Sequence, residues 1–169
     1  MVDQLQITEV TSIDAKMLDD LADLLIDVVD DGASIGFLPP LSREEAKEYW
    51  ESVLVSGVIL WAAKLEDKLC GTVQLHLSLK GNGTHRAEVA KLMVDTQQRK
   101  KGIGRELMTI LQSRAKLEDI KLLVLDTRLG DPSNTLYKSL GYVEVGKIPN
   151  YAKSADGKLE ATVFYYKEI

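Results

Sequence analysis

One stretch of the chain combines charge, glycine and an abrupt change of pattern. It reads Leu92-Met93-Val94-Asp95-Thr96-Gln97-Gln98-Arg99-Lys100-Lys101-Gly102-Ile103-Gly104-Arg105. An apolar, strand-like run ends at Val94, a basic turn follows, and a helical pattern starts near Gly102. A helix N-terminus leaves backbone N–H groups without partners and carries partial positive charge. Glycine lets that backbone approach an anion closely, and Arg99, Lys100 and Lys101 add formal charge. These residue types in this order suit a pyrophosphate. The spacing is not that of a P-loop, and it lacks the three-glycine pattern of a dinucleotide-binding turn. Two carboxylates stand where acid–base chemistry could use them. Glu88 interrupts an apolar strand between Ala87 and Val89, on the face expected to hold Ala90, Leu92 and Val94. It is either exposed on a splayed strand, buried with a raised pKa, or paired with Arg86 or Lys91. Asp126 ends the apolar run Leu122–Leu125, and ligands gather at the carboxyl ends of strands in open sheets. The competing reading of Asp126 is a cap on the following turn.

The elements that must position these groups follow from periodicity. Residues 4–10 alternate as a half-buried strand, and apolar residues from Ile13 to Val28 recur at helical spacing, predicting a helix over 13–30. A loop over Ala33–Leu41 holds Gly36, Pro39 and Pro40. Ser42-Arg43-Glu44-Glu45 is a capping box for a second helix running to about Val55. Strands are expected at Val58–Leu65, Leu69–Leu79 and Arg86–Val94, joined by tight turns. A helix through Ile103, Leu107 and Leu111 precedes a doubly covered strand at Ile120–Leu125. A short helix follows Pro132, and Tyr142–Val145 and Thr162–Lys167 read as closing strands. The strand–helix–strand unit over 86–125 predicts a parallel pair with a right-handed crossover.

The bulk properties narrow the function classes. With 169 residues and 45% hydrophobic content, the chain fits a single domain spanning 1–169. A formal net charge of -5 argues against a nucleic-acid partner held by phosphates. No apolar run matches a membrane span or a signal peptide, so a cytoplasmic location with no membrane partner is expected. Cys70 reads as a small core residue. His76 and His85 share no metal-ligand spacing, so no metal is expected. Trp50, Trp61 and Tyr151 are left open between core and pocket.

Arg99-Lys100-Lys101-Gly102-Ile103-Gly104 after an apolar strand resembles the coenzyme A motif of the GNAT acetyltransferase superfamily. Leu136-Tyr137-Lys138-Ser139-Leu140-Gly141-Tyr142 resembles a second motif of that family. Two positions depart from the family pattern: Gly130 where an Asn is common, and Lys100 where a Gly often follows the motif Arg. Gly32–Phe37, Arg86–Val94, Leu125-Asp126-Thr127 and Ile148–Tyr151 resemble the tabtoxin-resistance type of that family, which acetylates an amino group of a toxin dipeptide.

The resemblance implies a GNAT fold of α/β (α+β) class. That is a mixed, mostly antiparallel sheet with one splayed parallel strand pair and helices on both faces. It implies acetyl-CoA as co-substrate, bound at Leu92, Met93, Val94, Arg99, Lys100, Lys101, Gly102, Ile103, Gly104 and Arg105. A backbone N–H of Met93 or Val94 would meet the oxyanion. Tyr137 corresponds to the family's usual general acid, protonating the departing thiolate. An aliphatic amine has a pKa of roughly 10, so it must lose a proton before attack, and Glu88 and Asp126 are the acceptor-side carboxylates for that step. The expected acceptor is the primary amine of a small molecule, amino-acid-, dipeptide- or toxin-like. The alternatives are a protein N-terminal or lysine acetyltransferase with an open groove, and a non-catalytic acyl-CoA-binding module. The chain is expected as a monomer or homodimer.

Overall fold

The computed structural model describes residues 4–169. The element order is β1 (Leu5–Glu9), α1 (Ala15–Asp30), α2 (Arg43–Glu51), β2 (Val58–Leu65), β3 (Lys68–Leu77), β4 (Arg86–Val94), α3 (Ile103–Leu117), β5 (Leu122–Arg128), α4 (Ser133–Ser139), β6 (Val143–Lys153) and β7 (Leu159–Glu168). The strands form one seven-stranded sheet in the order β1-β2-β3-β4-β5-β7-β6. Only β4 and β5 are parallel; the other neighbours are antiparallel. Among the described residues no helix is long and apolar enough to cross a membrane.

Helices cover both faces of the sheet. Trp61, Val73, Leu75, Val89 and Leu123 share an apolar cluster with Leu107 and Leu111 of α3. Leu60, Ala62 and Met93 share the opposite cluster with Leu21, Leu25 and Val28 of α1 and Trp50 of α2. Burying each such large side chain contributes about 1.5–3 kcal/mol. Asp14 caps α1 by accepting from Met17 N–H at 2.8 Å, which moves the helix start past Ile13 to Ala15. The expected capping box between Ser42 and Glu45 is present at the start of α2. That helix stops at Glu51, short of Val55, where the Ser52 hydroxyl donates to the Tyr49 carbonyl at 2.7 Å.

The strands differ from the sequence expectation in three respects: the extent of β5, the length of the β6–β7 hairpin and the register of β4. β5 runs on to Arg128 because β7 keeps pairing with it as far as Thr162, so Asp126 lies within the strand opposite Phe164. β6 and β7 are longer than the two expected closing strands, reaching Lys153 and Leu159 at their far end. Gly146 and Pro149 suggest a break, but register shifts at Glu144/Gly146 and Ile148/Ala152 absorb them. An edge strand tolerates such residues because its outer N–H groups need no partner strand.

The third difference matters most. Thr72 pairs with Met93 while Gln74 pairs with Ala90, so β4 carries one extra residue against β3. Lys91 sits in that bulge with φ 54°, a left-handed conformation that costs a side-chain-bearing residue about 1–2 kcal/mol. The bulge reverses the alternation of the strand. Ala87 and Val89 face α3, and beyond the bulge Leu92 and Val94 pack on that same side while Met93 turns to the α1 side. The expectation that Glu88 shares a face with Leu92 and Val94 is therefore corrected: Glu88 points with its partner His76 towards the α1–α2 side, the side on which Gln74 meets Tyr49.

Gly71 of β3 packs beneath the first turns of α3. A Cβ there would lie 3.0 Å from the Met93 carbonyl oxygen, 3.1 Å from Leu107 Cδ1 and 3.2 Å from Ile103 Cγ2. Gly71→Ala should push the first turn of α3 off the sheet and cost about 1–3 kcal/mol. Chemical denaturation measures this, and an unchanged midpoint would contradict the packing described.

Candidate functional site

β4 and β5 are hydrogen-bonded neighbours only over Arg86–Glu88 and Leu122–Val124. Beyond that, β5 stays with β7 and β4 stays with β3, so the two parallel strands part. Glu88 stands at the vertex of the resulting V. Ala90 to Val94 therefore present a strand edge that β5 does not cover. A cavity of about 370 Å³ opens from this V, and Glu88, Lys91, Asp126 and Tyr137 all line it. Its walls include the loop after α1, from Ala33 to Gly36, and the β6–β7 hairpin at Tyr151 and Thr162.

The two carboxylates differ in surroundings. Glu88 is exposed and, among the described residues, takes part in no ion pair. The alternatives of burial and of pairing with Arg86 or Lys91 are thus set aside. Asp126 does not cap a turn: its Oδ2 accepts from the Thr162 hydroxyl of β7 at 2.8 Å, and that hydroxyl also lies 3.0 Å from the Thr127 carbonyl. Lys91 lines the same cavity and, among the described residues, forms an ion pair with neither. Its Nζ donates to the Ile35 carbonyl at 2.5 Å and stands 5.8 and 5.9 Å from the Phe37 and Tyr49 ring centroids. Burial lowers its pKa, and the charges of Glu88 and Asp126 oppose that shift.

Tyr137 is 6% exposed. Its ring packs 5.8 Å from that of Tyr142 and 6.1 Å from that of Tyr165. Burial, and then the charge of Asp126, pushes its phenol well above the ordinary tyrosine value. The helix that carries it is tied to the end of β5. Asn134 Nδ2 donates to the Arg128 and Asp131 carbonyls at 2.9 Å each, and its Oδ1 accepts from the Tyr165 hydroxyl at 2.7 Å. Arg128 fastens the cavity walls: Nε donates to Asp131 at 3.0 Å, Nη1 to Ser154 Oγ at 3.0 Å and Nη2 to the Gly32 carbonyl at 3.0 Å.

The basic turn leads from the end of β4 to the N-terminus of α3. Thr96 N–H and Oγ1 both donate to the Asp27 carboxylate at 2.9 Å, and Arg99 pairs with Asp31 at 2.6 Å, anchoring the turn to α1. Arg99 thus spends charge on Asp31, while Lys101 Nζ donates to Gln98 Oε1 at 2.7 Å. Gly102 precedes α3 with φ 82° and no side-chain cap. The first amide to find a helical acceptor is Glu106, on the Gly102 carbonyl, so the amides of Ile103, Gly104 and Arg105 have none within the helix. A Cβ at Gly102 would meet nothing within 4 Å, and one at Gly104 would make only ordinary contacts, 3.4 Å to Leu136 Cδ2 and 3.9 Å to Val94 Cγ2. The fold does not need that space, which fits a bound phosphate. The donor set also fits coenzyme A: free helix amides for the pyrophosphate and an unpaired strand edge for an amide-bearing arm.

A family model described as the acetyltransferase (GNAT) family matches residues 22–142. The chain belongs to the GNAT acetyltransferase family. Solved structures share the fold at low identity. The GNAT acetyltransferase from Streptococcus pneumoniae is 20% identical, with a TM-score of 0.81 over 98% of this chain and 100% of that one. The ribosomal-protein-alanine N-acetyltransferase from Brucella melitensis is 21% identical, with a TM-score of 0.80 over 96% and 99%. The yncA protein from Salmonella typhimurium, solved with its cofactor acetyl-CoA, is 16% identical, with a TM-score of 0.76 over 96% and 93%.

In this GNAT chain the structure brings Glu88, Asp126 and Tyr137 to one cavity. It places the basic turn beside α1 and the end of β4. Trp50 and Trp61 belong to the core, whereas Tyr151 lines the cavity. Cys70 is buried as expected, and burial first of all raises its thiol to about 11, so it carries no thiolate at neutral pH. Burial likewise lowers the pKa of His76, against the pull of Glu88, and its Nε2 sits 2.8 Å from Gln74 Oε1. Sequence reasoning missed Lys91, Arg128 and Thr162. Lys91 lay inside the stretch compared with relatives, but no periodicity announces a bulge; Arg128 and Thr162 depend on a hairpin longer than its pattern suggests.

Lys100, the departure from the family glycine, has φ 63°. Lys100→Gly should therefore stabilise by up to about 1 kcal/mol, and Gly102→Ala should destabilise by about 1–2 kcal/mol. Thermal denaturation of both variants checks the opposite signs.

Proposed function

We propose that the chain transfers the acetyl group of acetyl-CoA to the primary amine of a small molecule, with an amino-acid-, dipeptide- or toxin-like compound as acceptor. The tabtoxin-resistance type is the kind of relative this reading favours. The observation that carries it is the meeting of Glu88, Asp126 and Tyr137 in one cavity at the splay of β4 and β5. A cavity of about 370 Å³ suits a small ligand. Its walls are fastened by Arg128 to the loop and the hairpin, which favours a compact acceptor over an extended polypeptide.

Acetyl-CoA supplies the activated acyl group as a thioester. On the acceptor side, the negative charges of Glu88 and Asp126 attract the ammonium. Glu88, free of ion pairing, takes its proton directly or through water; Asp126, steadied by Thr162, holds the amine in place or shares that task. The backbone N–H of Met93 or Val94 faces the charge that develops on the acyl oxygen. Tyr137 donates a proton to the departing sulfur. Burial and Asp126 keep its phenol protonated well past the usual tyrosine range, so the donor is not lost as pH rises.

The test is release of free thiol from acetyl-CoA across amino acids, dipeptides, polyamines and aminoglycosides. Glu88→Gln and Tyr137→Phe should each lower kcat by about 10²–10⁴-fold with little change in melting temperature. The wild-type rate should climb with pH as the amine deprotonates, with no alkaline fall below about pH 10, the ordinary tyrosine value. Acetyl-CoA that raises the melting temperature without thiol release for any amine would leave a binding module and remove the catalytic assignments.

A further inference from the structure

Lys91 is the cavity residue that the transfer chemistry leaves unused. The bulge in β4 turns it out of the strand's alternation, and its half-buried side chain lines the cavity. An ammonium has three N–H donors. One meets the Ile35 carbonyl, and the rings of Phe37 and Tyr49 lie near the charge. Among the described residues no carboxylate lies within the 4.0 Å of an ion pair. Charges removed from water are normally paired, and this one has only neutral direct partners. The cavity's other guanidinium or ammonium group, Arg128, has its three nitrogens committed to Asp131, Ser154 and Gly32. Arg128 already has a carboxylate partner in Asp131, so among the described residues Lys91 is the cavity cation left without one and keeps N–H groups for a ligand.

We propose that Lys91 receives a carboxylate of the acceptor, so that the substrates of this site are amines that also carry a carboxylate, such as amino acids and short peptides. The inference rests on the transferase reading above. Glu88 and Asp126 draw the ammonium end of such a zwitterion, and Lys91 draws the anionic end. A polyamine brings no anion and sets more positive charge beside Lys91. Because Lys91 also grips the Ala33–Phe37 loop through Ile35 and Phe37, the same residue that reads the carboxylate shapes the wall around it.

The experiment uses matched acceptors that differ only in a terminal carboxylate or carboxamide. Dipeptides and their amides serve first, since the change is remote from the reacting amine. The wild type should favour the carboxylate by about ten- to hundredfold in acceptor KM, the range of a hydrogen bond to a charged group. Lys91→Met should bring that ratio near one, and Lys91→Arg should keep part of it. If Lys91 only latches the loop, Lys91→Met slows both members alike and the ratio survives, which overturns the proposal. A wild type that does not discriminate overturns it as well, with no variant needed. A panel in which every working acceptor lacks a carboxylate does the same while leaving the transferase reading intact. Absence of thiol release with any amine overturns both readings together.

Discussion

The structure depends on two parallel strands that cannot stay paired. β4 and β5 share only three register positions before each follows its other neighbour. Backbone N–H and C=O groups are obligatory hydrogen-bonding groups, so an uncovered strand edge inside a cleft is a feature that calls for a partner. The bulge at Lys91 places the extra residue of β4 in this unpaired stretch, and the N-terminus of α3 lies beyond its end. That departure from regular pairing yields a strand edge and a cavity beside it, while the free amides of α3 are those that any helix start leaves.

Charge is divided between fastening and function. Arg99 with Asp31 and Arg128 with Asp131 are ion pairs that tie loops to the frame. Such partly exposed pairs contribute little stability individually; their value here is geometric. Among the described residues, Glu88 and Lys91 face the cavity without ion-pair partners. Asp126 is held by the Thr162 hydroxyl, which fixes its position. A net charge of -5 thus coexists with a basic turn at one end of the V and carboxylates at the other.

Much of this was legible in the sequence, because the signals were local. The capping box at Ser42 and the helix start near Gly102 each state their own geometry, whereas β5 buries Leu123 and Leu125 on one face and is not covered on both faces as its apolar run suggests. The basic turn and the Leu136–Tyr142 motif carried the family resemblance. What stayed hidden depends on pairing between distant strands. The bulge at Lys91 is set by β3, not by the residues beside it, so strict alternation put Leu92 and Val94 on the wrong face relative to Glu88. The extent of β6 was hidden by Gly146 and Pro149, whose meaning changes at a sheet edge. Arg128 could not be read as a clamp because its partners, Gly32 and Ser154, are brought to it only by the fold.

The proposed function requires that the free edge of β4 and the first amides of α3 together hold acetyl-CoA. Backbone hydrogen exchange with and without acetyl-CoA tests it directly. The account predicts slowed exchange at Leu92–Val94 and at Ile103–Arg105, with the remainder of the sheet changed little. Protection confined to other segments, or none at these amides while acetyl-CoA is bound, would contradict it.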